Sequence, residues 1–228
     1  MLGVLVNVGA IVAGSIVGLL LKKGIPEKVV NAVMTAVGLS VLYIGISGLS
    51  SGKDPLVTII AMVLGTVAGT LLDIDGGIEK LSRKVEDMAG KKGGRGTVAQ
   101  GFMTATLLYC IGAMAITGSI ASGLTGDHSI LFTKSLLDGI SSIMLAASLG
   151  FGVALSALGV LVYQGAIALL AGVLQPVLAF SSGEIICTGS LMIIAIALNM
   201  LGLTKIKVAN LLPGILFTPV AVWLMSLL

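Results

Sequence analysis

The sequence has few charged and few aromatic residues for its length. Of its 228 residues, 10% are charged and 4% are aromatic, while 57% are hydrophobic. Soluble domains usually carry about 25% charged residues, so a mean hydropathy of +1.15 excludes a water-soluble globule. The formal net charge of +3 comes from residues in the loops between apolar runs. It therefore gives no reason to expect nucleic acid as a partner.

Histidine and cysteine are also scarce. His128 is the single histidine and follows Asp127 in a predicted loop, which excludes histidine-based zinc sites and histidine-dependent triads. Cys110 and Cys187 both fall within predicted spans, so neither a disulfide framework nor a metal site is indicated. The run from Asp73 resembles the start of a calcium loop, but its twelfth position is a lysine. We therefore expect no metal, no cofactor and no enzymatic activity.

Long apolar runs make up most of the chain. A helix needs about 20 mostly apolar residues to cross about 30 Å of hydrocarbon. Charge clusters and glycine, proline and serine residues divide the chain into eight such runs. We predict an all-α polytopic transmembrane bundle forming a single domain over residues 1–228. Its spans are Leu2 to Leu21, Val29 to Leu49, Pro55 to Leu72, Ala99 to Ala121, Ile130 to Leu149, Phe151 to Leu174, Glu184 to Leu203, and Val208 to Leu228.

The first run and the boundary after the fifth run depend on different features of the sequence. No basic residue precedes the first run, which continues for 20 apolar positions, so we expect a retained span rather than a signal peptide. The break between the fifth and sixth spans depends only on length and on Gly150 and Gly152.

The positions of lysine and arginine predict the orientation, because cytoplasmic loops retain these residues. With the N-terminus outside, three basic loops face the cytoplasm, around Lys22, Arg83 and Lys205, and only Lys53 lies in an outside loop. An even number of spans places the C-terminus outside as well.

One hydrophilic stretch, residues 74–98, interrupts the spans. Ile78, Leu81, Val85 and Met88 recur there at helical spacing among charged residues, which predicts a short amphipathic helix on the cytoplasmic surface. The glycine-rich run that follows is typical of a flexible linker. A solvated connector is the simpler interpretation, and a docking site for a partner is the alternative.

Two pairs of short segments suggest an inverted repeat. Gly9-Ala10-Ile11 recurs as Gly165-Ala166-Ile167, and Leu39 to Leu49 aligns with Leu191 to Leu201. On the predicted topology each match joins spans of opposite orientation, as an inverted repeat requires. Chance is the other explanation, since the sequence is low in diversity and the two offsets differ by 4 residues.

The fifth predicted span contains an ionisable pair. Lys134 and Asp138 are 4 residues apart and so share one helix face. A single charge at mid-membrane disfavours insertion by about 2.5 to 3.5 kcal/mol, part of which an opposite charge offsets. Ser141 and Ser142 extend the polar stripe. We expect this face to point into the bundle and to form part of a pathway.

Two interpretations of the pair remain open. Lys134 is near the outer end of its span, so its amine can extend to the interface and leave a purely structural ion pair. Asp138 lies about 12 Å into the span, from the helical rise, where a carboxylate is unfavourable unless it binds an ion, a proton or a partner. A Ser/Lys dyad using Ser135 or Ser141 is a third possibility, but no surrounding motif supports it.

Polar residues in other spans either line the same pathway or hydrogen-bond between helices. Asn210 has the strongest case, because Pro213 and Pro219 follow it and prolines free backbone carbonyls of the kind that ion sites use. The set comprises Asn7, Tyr109, Gln164, Asn199 and Asn210.

Small residues recur 4 apart in the first and third spans, which lets helix backbones approach closely. Packing within the chain is one interpretation and a homodimer seam is the other. These residues are Ala10, Gly14, Gly18, Gly65 and Gly69.

Several longer motifs resemble a bacterial family. They are the segments 101–119, 134–142 and 205–213, with Gly45-Ile-Ser-Gly48 and Leu71-Leu-Asp-Ile-Asp75. Together they resemble the YqgA/YdfK-type bacterial membrane proteins, domain-of-unknown-function family number 554. The resemblance covers nearly the whole chain. It implies a multi-pass protein of the bacterial cytoplasmic (inner or plasma) membrane, suspected of transport, and it implies no substrate or site residues.

The leading hypothesis is a transporter or channel in the lipid bilayer for an ion or a small polar solute. Asp138 would be its cation or proton site and Lys134 the neutralising partner, while Ser141, Ser142, Asn210, Asn199 and Gln164 are further candidate binding residues. The alternative is a non-catalytic membrane subunit or scaffold that assembles with another membrane protein. An intramembrane enzyme is the third hypothesis.

Overall fold

The structure, a computed structural model, describes residues 1–21, 27–80 and 97–227. These residues form helices joined by short connections, with no strand among them, which confirms the all-α prediction. The helices are α1 (Leu2–Leu21), α2 (Glu27–Leu49), α3 (Pro55–Leu71), α4 (Ile74–Lys80), α5 (Thr97–Cys110), α6 (Ala113–Leu124), α7 (Ser129–Leu149), α8 (Gly152–Leu169), α9 (Ala171–Met200), a 3-10 helix (Val208–Leu211) and α10 (Pro213–Met225).

Local sequence explains several helix ends. Asp54 caps α3, because its carboxylate accepts a hydrogen bond from the Leu56 N–H at 2.9 Å, and Pro55 suits the first helical position. Gly150 ends α7 with φ of +81°, a conformation that glycine adopts readily. The predicted break between the fifth and sixth spans is therefore confirmed.

Within the part of the chain that the structure describes, five helices are long and apolar enough to cross a membrane: α1, α7, α8, α9 and the segment Val208–Met225. Two bent pairs raise the number to 7 if each pair is one span. They are α3 with α4, bent by 52°, and α5 with α6, bent by 63°. The described apolar part of α2, Thr35–Leu49, is shorter. The predicted transmembrane helix bundle is confirmed, with 5 to 7 candidate spans among the described residues. Helix α2 corresponds to the predicted span from Val29 to Leu49, and the total of eight spans stays a prediction.

The largest difference from the sequence prediction is α9, which runs through Pro176 without a break. A loop was expected between Leu174 and Glu184, on account of a proline followed by two serines and a glycine. Pro176 is the sixth residue of α9, so its missing N–H removes one helical hydrogen bond, and the helix continues through it. The Ser181 hydroxyl donates to the Val177 carbonyl at 2.6 Å and so remains compatible with the helix. The predicted boundary is wrong, and α8 ends instead at Leu169.

Two other predicted spans are interrupted. Ile111 and Gly112 separate α5 from α6 within the expected span from Ala99 to Ala121. In the last span a 3-10 helix precedes Pro213, which begins α10 rather than kinking a continuous helix. Pro219 lies inside α10.

The chain forms two compact units. One combines Met1–Met34 with Arg83–Gln175, and the other combines Thr35–Ser82 with Pro176–Leu228. In the first unit α1 packs along α7 and α8; in the second α3 packs along α10. The single-domain assignment and the inverted repeat stay predictions. The amphipathic helix through Leu81 to Met88 and the glycine-rich linker lie outside the described residues.

Glycines allow close helix contacts within each unit. A Cβ added at Gly14 of α1 would overlap the Gly139 carbonyl of α7, and one at Gly69 of α3 would overlap the Asn210 carbonyl. The interpretation of tight packing within the chain is therefore confirmed at these positions, and the homodimer seam stays a prediction. Gly18 and Gly65 make equivalent backbone contacts, with Ile143 and Gly214.

Candidate functional site

Helix α7 buries one polar face in the first unit. Lys134, Asp138 and Ser142 lie on that face, each four residues after the last, as the helical period requires. Ser141 is off this face and only partly buried. On the opposite side of α7 the large apolar residues are exposed, as a lipid-facing surface requires; they are Phe132, Leu136, Leu137, Ile140 and Met144.

Lys134 and Asp138 form an ion pair inside this unit. The Lys134 Nζ lies 2.9 Å from the Asp138 Oδ1. The two side chains are only 9% and 7% exposed, so Lys134 does not extend to the surface. The interpretation in which its amine reaches the interface is wrong, because the amine bonds the carboxylate one turn further along the helix. Ser135 donates to the Leu131 carbonyl at 2.7 Å.

Two amide side chains complete the site. The Asn7 Nδ2 donates to the Asp138 Oδ2 at 3.0 Å and to the Gln164 Oε1 at 3.2 Å. Both amides are fully buried. Both carboxylate oxygens of Asp138 are thus bonded, one to Lys134 and one to Asn7. Helices α1, α7 and α8 meet at this network, and a buried ion pair is tolerated only when such additional bonds are made.

One polar atom on each amide remains without a partner. The Asn7 Oδ1, an acceptor, and the Gln164 Nε2, a donor, are buried and make no hydrogen bond within the described part of the chain. An unsatisfied buried group of this kind destabilises a protein by about 1–3 kcal/mol. One further acceptor and one further donor would be needed to satisfy the two atoms.

Tyr109 makes a second polar contact on the same face of α7. Its hydroxyl lies 2.8 Å from the Ser142 hydroxyl, and both side chains are buried. Because α5 ends one residue later, at Cys110, the interruption between α5 and α6 lies close to the polar face of α7.

Asn199 and Asn210 belong to the second unit, where each holds a connection. The Asn199 Oδ1 accepts from the Ile206 N–H at 2.8 Å and from the Thr204 hydroxyl at 2.7 Å, and its Nδ2 donates to the Ile206 carbonyl at 2.7 Å. The Asn210 Oδ1 accepts from the Asp75 N–H at 2.9 Å. The structure gives both residues a local role in fixing loops. It brings Lys134, Asp138 and Gln164 into one network through Asn7, and Ser142 lies one turn further along the same face of α7, bonded to Tyr109.

Sequence reasoning gave Asn7 too little weight. Asn7 lies on the face of α1 that also carries Gly14 and Gly18, at helical spacing. A polar residue in register with close-packing glycines is expected to face a neighbouring helix. That register was the signal available in the sequence.

The described residues contain no group of three or more His, Cys, Asp and Glu side chains that could hold a metal ion. The expectation that the protein needs no cofactor stays a prediction.

Comparison with known proteins gives the family. The model of a family described as "Protein of unknown function (DUF554)" matches residues 2–223. The chain belongs to the DUF554 family. The resemblance drawn from its motifs is thereby confirmed.

Two DUF554-related proteins are similar over almost their whole lengths. The chain is 34% identical over 228 residues to the uncharacterized membrane protein YdfK of Bacillus subtilis (strain 168), a match covering 98% of this chain and 96% of that protein. It is 27% identical over 219 residues to the uncharacterized protein YqgA of Escherichia coli (strain K12), covering 94% and 93%. No solved structure shows a significant match.

Proposed function

We propose that this protein moves an ion or a small polar solute across the bacterial cytoplasmic membrane, with Asp138 as the principal binding group and Lys134 as its partner. The observation that supports this most strongly is the buried Lys134–Asp138 pair in a candidate span. Ionisable residues inside spans are rare and usually belong to ion or solute pathways.

The network offers both signs of charge to a solute. A cation would compete with the Lys134 ammonium for Asp138, while an anionic group would bind Lys134. The free Asn7 Oδ1 and Gln164 Nε2 add one acceptor and one donor beside the charges. When no solute is bound, Lys134 neutralises Asp138, so the site never exposes an isolated charge to the membrane interior.

The interruption between α5 and α6 also favours transport. Solute and ion sites in membrane transporters commonly lie where helices are broken, because unwound backbone offers carbonyl and N–H groups there. Tyr109 lies close to this break and bonds Ser142 on the polar face of α7. The break and the charged pair therefore belong to one region of the first unit.

Liposome flux measurements test this function. With purified protein in liposomes, we expect wild type to conduct at least one of protons, sodium, potassium, chloride or glycine. Asp138→Asn and Lys134→Met should each lower that rate about 10- to 100-fold, because a hydrogen bond to a charged group contributes about 1.5–3 kcal/mol. Ser141→Ala, on the same helix but off the polar face, is the matched control and should retain the wild-type rate. Absence of flux for every probe in wild type, or full flux in Asp138→Asn, would refute the proposal.

We propose in addition that both termini face outward, on the strength of the basic loops. Single cysteines at positions 53 and 205, in a background with Cys110 and Cys187 replaced by alanine, test the orientation with a membrane-impermeant maleimide. In intact cells the reagent should label position 53 and leave position 205 unlabelled until the cells are permeabilised. Labelling of position 205 from outside would contradict the topology.

A further inference from the structure

Two lysines lie in the connection between α9 and the 3-10 helix, residues 201–207 of the second unit. Lys205 and Lys207 are both exposed, and they are the only charged residues of this connection. Neither forms an ion pair with any residue that the structure describes. The connection therefore presents two unpaired positive charges at the surface.

The backbone around these lysines is fixed by Asn199. Its side chain bonds the Thr204 hydroxyl at 2.7 Å, the Ile206 N–H at 2.8 Å and the Ile206 carbonyl at 2.7 Å, so residues on both sides of Lys205 are held. Gly202, with φ of +74°, ends α9 in a conformation that glycine adopts readily. Because the connection is already ordered, a ligand that binds its lysines loses less free energy to ordering them.

Large apolar side chains are exposed at the same end of this unit. The Asn210 Oδ1 accepts from the Asp75 N–H at 2.9 Å, which brings the residues just after α3 to the residues just after the lysines. Four apolar side chains of these two segments are 38% to 82% exposed: Leu71, Leu72, Leu203 and Ile206. Exposed apolar side chains beside lysines are typical of the boundary between lipid headgroups and acyl chains.

The acidic residues at this end leave the lysines unneutralised. The Asp73 carboxylate lies against Gly76 in the first turn of α4, and Asp75 is half-buried. Within residues 27–80 and 97–227, neither carboxylate forms an ion pair with Lys205 or Lys207. The positive charge of the connection is therefore available to a ligand.

We propose that Lys205 and Lys207 bind the headgroup phosphate of an anionic phospholipid, whose acyl chains cover the exposed leucines at this end of the second unit. Lysines near the membrane surface attract anionic headgroups. A phospholipid matches both features, because it carries negative charge next to apolar chains, whereas a soluble anion would leave the leucines uncovered. This surface site is independent of the function proposed for Asp138.

Thermal unfolding of the full chain in a fixed detergent tests the site, with dioleoyl phosphatidylglycerol or dioleoyl phosphatidylcholine added at equal mole fraction. At about 100 times its Kd, phosphatidylglycerol should raise the wild-type Tm by about 5 °C or more, and phosphatidylcholine should not. Lys205→Ala/Lys207→Ala should weaken the apparent Kd for phosphatidylglycerol about 30-fold. Lys205→Arg/Lys207→Arg keeps both charges and should retain the response.

Lys53→Ala is the matched control, since Lys53 is an exposed lysine in the turn between α2 and α3, and it should respond as wild type does. The double alanine variant should match the wild-type Tm in phosphatidylcholine, because its lysines are exposed and unpaired. If it does not fold, Lys205→Ala alone should weaken the apparent Kd about 5-fold.

Three outcomes would overturn the proposal. The two lipids could stabilise wild type equally, or the alanine variants could respond to phosphatidylglycerol as wild type does. In the third, inorganic phosphate at the same concentration raises the Tm as much as phosphatidylglycerol, which would make this a site for soluble anions.

Discussion

Removing one member of the Lys134–Asp138 pair should lower the free energy of unfolding by about 3–5 kcal/mol, because the remaining charge is left buried without a counter-charge. This holds for Lys134→Met and for Asp138→Leu. Asp138→Leu also removes the hydrogen bond from Asn7, so Lys134→Met, which leaves that bond in place, measures the pair more directly. Unfolding in a fixed detergent, followed by circular dichroism, gives the comparison.

The double variant Lys134→Met/Asp138→Leu should be close to wild type or more stable. Replacing a buried ion pair by apolar residues of similar volume is often neutral or stabilising by about 1–4 kcal/mol. The double-mutant cycle should therefore show a large coupling between the two sites. Additive losses would mean that the two side chains act independently. That result would contradict the direct contact, in which the Lys134 Nζ lies 2.9 Å from the Asp138 Oδ1.

Gly14→Ala should destabilise the protein by about 1–3 kcal/mol, as overpacking generally does. The added Cβ would overlap the Gly139 carbonyl of α7, and backbone cannot move aside as a flexible side chain can. Since α1 also carries Asn7, the displacement should lengthen the Asn7–Asp138 bond and reduce transport. Thermal unfolding and liposome flux measure the two effects.

Gly9→Ala, in the same helix, is the matched control. Nothing lies within 4 Å of a Cβ added at Gly9, so this change should stabilise the helix by about 0.5–1 kcal/mol through propensity alone. Opposite signs for the two substitutions would show that the close approach of α1 and α7 is required. Equal effects would mean that only helix propensity matters at Gly14.

The membrane class and the charged pair were predictable, because charges stand out in an apolar chain and a four-residue spacing fixes a common helix face. The Asn7–Gln164 contact was not, since it joins residues 157 apart and depends on how three helices pack. Asn199 and Asn210 became candidates on polarity alone. The hydrogen bonds that give them a role in loops are formed only in the folded chain.

The position of Glu184 inside a helix could not be predicted from the sequence either. A charge at the edge of an apolar run suggests a span boundary, and the sequence placed one there. In the structure Glu184 lies inside α9, because backbone N–H groups 130 and 131 residues away bond its carboxylate. Which charges a membrane helix tolerates depends on such distant donors, and these cannot be read from local pattern.

The most direct measurement is the flux of the double variant Lys134→Met/Asp138→Leu in liposomes, compared with its Tm. If the pair lies on the transport pathway, the variant should unfold near the wild-type temperature and conduct none of the ions or solutes that wild type conducts. A folded double variant with wild-type flux would show that the pair is only structural and would contradict the proposed function.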